Sequence, residues 1–110
     1  DWRTMNTNST ARHKAHAAVL KAMAHASRLV MIEALATKDH CVCELAALVG
    51  ADMSTVSKHL STLRNAGIIS DTKRGTSVIC HLKCPCVLSF LACVTDVLKT
   101  NAREQMDLVA

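Results

Sequence analysis

The sequence predicts a mainly α-helical domain carrying one small β-hairpin, and three stretches predict it. Val42 to Val49 places Leu45, Leu48 and Val49 on one helical face, and Gly50 follows where a helix end favours φ > 0. Asp52 then caps a second helix, whose Val56, Leu60 and Leu63 fall on one apolar stripe. Directly behind it, Ile68-Ile69-Ser70-Asp71 and Ser77-Val78-Ile79-Cys80-His81-Leu82 read as strands, joined by the basic loop Thr72-Lys73-Arg74-Gly75-Thr76. Two helices around a Gly turn with a hairpin behind them make a winged helix-turn-helix.

Taken in order, residues 1–9 are polar and aperiodic and are expected to be a disordered tail. Residues 10–100 form the folded domain in this reading, and 101–110 a C-terminal tail. Ser9 or Thr10 caps a first helix reaching about Met23, with His13, Lys14 and His16 on a solvated face. A second helix covers roughly Ser27 to Ala36, with Leu29, Ile32 and Leu35 inward, and Thr37 to His40 is a loop. The last helix opens at Lys83-Cys84-Pro85-Cys86, where Pro85 suits the first helical position because its missing N–H is not needed there. Val87, Leu88, Leu91, Val94, Thr95 and Leu98 continue as an apolar stripe to about Lys99. No Pro- or Gly-rich linker interrupts the chain, so a single domain is expected.

A chain of 110 residues builds one modest core. Trp2 and Phe90 are its only aromatic residues, so that core must be aliphatic. Thirteen Lys and Arg against nine Asp and Glu give a net charge of +4, which suits a nucleic-acid partner without requiring one. No apolar run is long enough to span a membrane and no signal peptide is visible, so a cytoplasmic location and no membrane partner are expected. The second helix of the pair presents Ser54, Thr55, Ser57, Lys58, His59, Thr62 and Arg64, all hydrogen-bond donors and none acidic. Such a face reads double-stranded DNA in the major groove, while Lys73 and Arg74 at the hairpin tip meet phosphate or the minor groove.

Six cysteines in a cytoplasmic domain suggest metal or redox chemistry rather than a disulfide framework. Cys41-Val42-Cys43 and Cys84-Pro85-Cys86 each put one cysteine near an N-cap and another in the first helical turn. A helix N-terminus carries about half a positive charge, which favours the thiolate that soft ions need. Cys80, inside a hairpin strand, reads as a packed thiol. Cys86 and Cys93 lie roughly 10 Å apart along a regular helix and cannot share one ion there. Sulfur donors select As(III), Sb(III), Cd(II), Pb(II), Cu(I) or structural Zn(II).

Ser54-Thr55-Val56-Ser57-Lys58-His59-Leu60, followed by Leu63-Arg64-Asn65-Ala66-Gly67-Ile68-Ile69, resembles the recognition helix and wing entry of the ArsR/SmtB family of metal-sensing repressors. Lys21 to Leu29 is similar to the family's segment leading into its second helix, with Ala26 where Pro is common. Cys41-Val42-Cys43-Glu44-Leu45 resembles the metal-binding box of its arsenic, cadmium and lead sensors. The resemblance covers roughly residues 15–98. It implies a dimer formed through the first and last helices, with Leu88, Leu91, Val94 and Leu98 at the interface.

These observations favour a non-enzymatic, dimeric repressor that leaves operator DNA when a thiophilic ion binds. As(III) or Sb(III) is the first choice of inducer, because three thiolates satisfy it, and Cd(II) or Pb(II) the second. Cys41 and Cys43 are the leading ligands, and the third is sought among Cys86, Cys84 and Cys93, in that order. A thiol redox switch on the same fold is the alternative. A structural-zinc protein or thiol oxidoreductase is more distant, since no Cys-x-x-Cys follows a strand.

Overall fold

The structure, a computed structural model, describes residues 7–109. Its helices are α1 (Thr7–Met23), α2 (Ala26–Thr37), α3 (Val42–Val49), α4 (Met53–Asn65) and α5 (Val87–Val109). Three short strands, β1 (His40–Cys41), β2 (Ile69–Arg74) and β3 (Ser77–Leu82), form an antiparallel sheet in the order β1-β3-β2.

The helix pair is built as its sequence dictates. Gly50 ends α3 in the left-handed region at φ 73, and its N–H donates to Ala46 O at 2.9 Å. Asp52 then starts α4 by accepting the Thr55 N–H at 2.8 Å. Val56, Leu60 and Leu63 are buried together with Met31, Ile32 and Leu35 of α2 and with Ile69 and Cys80 of the hairpin. Each large aliphatic side chain buried this way contributes about 1.5–3 kcal/mol. The α3–turn–α4 unit is thereby fixed against both α2 and the wing.

The structure corrects several expectations. The face of α3 that packs inward is Val42, Leu45, Ala46 and Val49, and Leu48 is 55% exposed. An inward stripe follows steps of three, four and seven from its first residue, and Leu48 lies off that line. In α2, Met31 is buried and Leu29 only half-buried. The hairpin loop contracts to a two-residue turn at Gly75 (φ 61) and Thr76, so Lys73 and Arg74 stand on the end of β2. His40, read as loop, begins β1 and pairs with Cys80.

Both ends of the domain also differ. The first helix starts at Thr7, ahead of the Ser9 and Thr10 expected to cap it, because no Gly or Pro stops it there. Of the tail expected at 1–9, residues 1–6 lie outside the described residues. At the other end Cys84, Pro85 and Cys86 form a turn, with Val87 N–H donating to Cys84 O at 3.1 Å, and α5 starts only at Val87. It then continues through the segment expected to be a tail, which contains no helix breaker. None of the residues of α5 is fully buried, and Leu88, Phe90, Val94, Val97 and Leu98 are exposed. Leu91 and Val87 alone on this helix rest on the core. No helix among the described residues is long and apolar enough to cross a membrane.

Candidate nucleic-acid interface and thiolate site

Helix α4 is amphipathic in the sense a groove-reading helix needs. Opposite the buried stripe, helical spacing lines up Ser54, Lys58, Ser61 and Asn65, with Thr55 and Thr62 on one flank and Ser57 and Arg64 on the other. Ser57 and Lys58 are exposed, and Thr55, also exposed, adds a side-chain hydrogen bond to the Asp52 carboxylate. Others on the expected list already have partners. Ser54 Oγ donates to the capping Asp52 at 2.8 Å, and Thr62 Oγ1 donates to Lys58 O at 3.1 Å. Arg64 forms an ion pair with Asp71 on β2 and donates to Ser61 Oγ at 3.1 Å, clamping α4 to the wing. His59 is half-buried, its ring centroid 4.4 Å from that of His25 and its Nδ1 3.4 Å from an Arg28 guanidinium nitrogen. Burial, then the positive charges of His25 and Arg28, push its pKa down. An arginine only donates, so the contact needs a neutral ring with Nδ1 as acceptor. His59 is thereby held against Arg28 of α2, while Ser57 and Lys58 are exposed. Ser61 and Asn65 were not singled out from the sequence, although their four-and-three spacing from Ser54 and Lys58 was the signal.

The first Cys pair lies at the start of α3. Cys41 is the N-cap of α3 and also the last residue of β1, paired with Ile79 of the wing. Its N–H donates to Glu44 Oε1 at 3.1 Å, and His40 Nδ1 meets Glu44 Oε2 at 3.3 Å. The sequence signal for this cap is Cys-x-x-Glu, a capping box with cysteine in the place of Ser or Thr. The Cys41 backbone N–H, its thiol and His40 together hold the Glu44 carboxyl at about 2. Because this folded-state pKa lies below the ordinary 4.5, the carboxylate stabilises the fold above about pH 4.5 and loses that effect as pH falls through about 2. The melting-temperature gap between wild type and Glu44→Gln is thus expected to be constant near neutrality and to close toward pH 2, as thermal melts across that range would show.

Cys43 is exposed one helical position beyond Val42, and Cys41 is half-buried. Both line a cleft of about 410 Å³ whose other walls are Met53 and Ser57 of α4 and Thr76, Ser77 and Val78 of the wing. The remaining cysteines do not converge on it. Cys80 is 1% exposed, and burial followed by the Asp71 charge pushes its thiol pKa up. Cys84 is half-buried with its thiol 4.0 Å from Gly67 O, and Cys86 and Cys93 are exposed. Among the described residues no three His, Cys, Asp or Glu side chains gather around one point. Cys41 and Cys43 are the two thiols that line this cleft together.

A family model described as bacterial regulatory protein, arsR family, matches residues 25–71. The chain is 33% identical over 99 residues to the uncharacterized HTH-type transcriptional regulator Rv0081 of Mycobacterium tuberculosis, covering 89% of this chain and 84% of that protein. The crystal structure of Rv0081 superposes with a TM-score of 0.72 over 89% of this chain and 96% of the other. NolR from Sinorhizobium fredii superposes with a TM-score of 0.77 at 25% identity, over 84% and 93% of the two chains. Shorter matches are the cadmium resistance transcriptional regulatory protein CadC of Listeria innocua, 33% identical over 57% of this chain and 54% of its own, and the putative arsenical resistance operon repressor ArsR2 of Halobacterium salinarum, 40% identical over 53% and 50%.

Proposed function

The chain belongs to the arsR family of bacterial regulatory proteins and is a DNA-binding transcriptional regulator, and from that premise we propose that it is a homodimeric repressor released from operator DNA by a thiophilic ion at Cys41 and Cys43. One observation carries the inducer reading: the Cys41–Cys43 cleft is walled by the recognition helix on one side and the wing on the other. An ion drawn to both sulfurs, and to a third thiolate outside the pair, acts where α3, α4 and β3 meet. It needs only to favour an arrangement in which helix and wing no longer fit one groove, and DNA and ion then weaken each other's binding equally. As(III) or Sb(III) is the first choice because either is satisfied by three sulfurs, with Cd(II) or Pb(II) second and Zn(II), as a structural occupant, third. The shorter relatives, named for arsenical and for cadmium resistance, support that pair of choices. The test is DNA binding by the reduced protein with and without arsenite, cadmium and zinc. Release under reducing conditions supports the ion-sensing reading over a redox one, and indifference to all three ions defeats it.

On the DNA side, Thr55, Ser57 and Lys58 take the base edges in this reading. Lys73 and Arg74, exposed at the end of β2, take phosphate. Each phosphate contact releases condensed counterions, so Lys73→Ala with Arg74→Ala is expected to lower the magnitude of the log–log salt slope by about 2. The loss should be similar for operator and unrelated DNA, because such contacts carry no base information. An unchanged slope in a salt titration would remove the wing from the interface.

A further inference from the structure

A second cleft lies behind the recognition helix, between α1, the start of α2 and the last turn of α4. It measures about 460 Å³, and its polar lining is Lys21, Arg28, Thr62 and Asn65. Arg28 is half-buried, and its Nε is shielded from solvent without a hydrogen-bond partner. One guanidinium nitrogen meets His59 Nδ1 at 3.4 Å, a neutral acceptor. The ion pairs among the described residues are His40–Glu44, Arg64–Asp71 and His81–Asp39, and none neutralises Arg28 or Lys21. Two cations, one from α1 and one from α2, therefore line the cleft with no carboxylate among its lining residues, and Asn65 adds an amide donor. Thr62 donates its hydroxyl to Lys58 O, so it contributes shape here rather than a proton.

We propose that this cleft binds a phosphate oxyanion through Arg28, Lys21 and Asn65. A guanidinium donates strong charge-assisted hydrogen bonds to a tetrahedral oxyanion, and a flexible ammonium adds charge at the rim. The chemistry is shared by two sources, inorganic phosphate and a phosphodiester of the DNA backbone. Asn65 lies on the outermost line of α4 with Ser54 and Lys58, which would bring a backbone phosphate to the cleft mouth when that helix enters a groove. The diester source rests on the DNA reading above, and the free-anion source does not.

Two measurements on the full chain separate these cases. The first is thermal unfolding in inorganic phosphate against sodium chloride of equal ionic strength. With phosphate at about ten times its dissociation constant, wild type should gain roughly 5 °C over the chloride control. Lys21→Ala, on the exposed rim, and Arg28→Met, which keeps an apolar stem, should lose most of that gain. Lys21→Ala alone decides the matter if Arg28→Met does not fold. The second is the salt dependence of DNA binding, where Lys21→Ala should lower the slope by about 0.9 if a backbone phosphate is the ligand. Loss of the phosphate gain with an unchanged slope identifies a free oxyanion. Loss of slope identifies the diester. Equal phosphate responses and equal slopes in wild type and Lys21→Ala overturn the site, and the first measurement still decides it for a protein that bound no DNA.

Discussion

Val94→Glu combined with Leu98→Glu is expected to give a folded monomer whose affinity for operator DNA falls on the order of 1,000-fold or more. Both positions are exposed within one copy, at 40% and 62%, so the substitutions remove little from the chain's own core. They lie on a long helix whose apolar residues Leu88, Leu91 and Phe90 continue the same surface toward Leu20, Met23 and Leu29 of α1 and α2, around a cleft of about 320 Å³. A second copy is the occupant that fits the family reading. Two carboxylates buried there without partners cost several kcal/mol each, enough to dissociate a modest dimer. The DNA effect follows from geometry. A two-fold dimer spans two half-sites about 34–36 Å apart, and a monomer keeps only one set of contacts. Sedimentation and helical circular dichroism check this together: a double variant that stays dimeric would move the interface elsewhere.

How much of this was legible in the sequence depended on whether the signal was local. Gly50 and Asp52 announce the two helix ends because a left-handed residue and a capping carboxylate act within a turn of their own position. The Val56–Leu60–Leu63 stripe was equally plain, since its burial follows from helical periodicity. What could not be read depended on contacts distant in the chain. The two-residue strand β1 exists only because His40 and Cys41 lie beside Cys80 and Ile79. Leu48 looks like core until α2, α4 and the sheet are seen to take the neighbouring face of α3. Spacing on α4 likewise does not reveal that Arg64 pairs with Asp71 or that His59 meets Arg28, since both contacts cross between elements. Nothing in the spacing of Lys21, Arg28 and Asn65 foretells a common cleft, because three different helices bring them together.

The same dependence makes the ligand set the sharpest remaining test. Cys41→Ser and Cys43→Ser are each expected to bind operator DNA within about twofold of wild type, since serine is itself a good N-cap and Cys43 is exposed. Wild type should lose DNA affinity by a factor of about 5–150 when the inducing ion is added, the usual range of a coupling between two sites. In either variant that factor should collapse to about 1. The cause is chemical, not structural: a hydroxyl is a hard, neutral donor and does not replace a thiolate on a soft ion. Serine scanning of Cys86, Cys84 and Cys93, measured as ion affinity beside DNA release, then finds the third sulfur. Cys86 is ranked first because it is exposed directly ahead of α5, whereas the Cys84 thiol faces Gly67 O. No single copy brings any of the three to the Cys41–Cys43 cleft, so mixed dimers of Cys41→Ser and Cys86→Ser chains add the decisive measurement. If the third thiolate crosses between copies, such a mixed dimer retains one complete site when neither substitution falls on it and one crippled in both donors. If it comes from the same chain, both sites lose one donor. Full induction in both Cys41→Ser and Cys43→Ser would instead place the sensor at the Cys84–Cys86 turn.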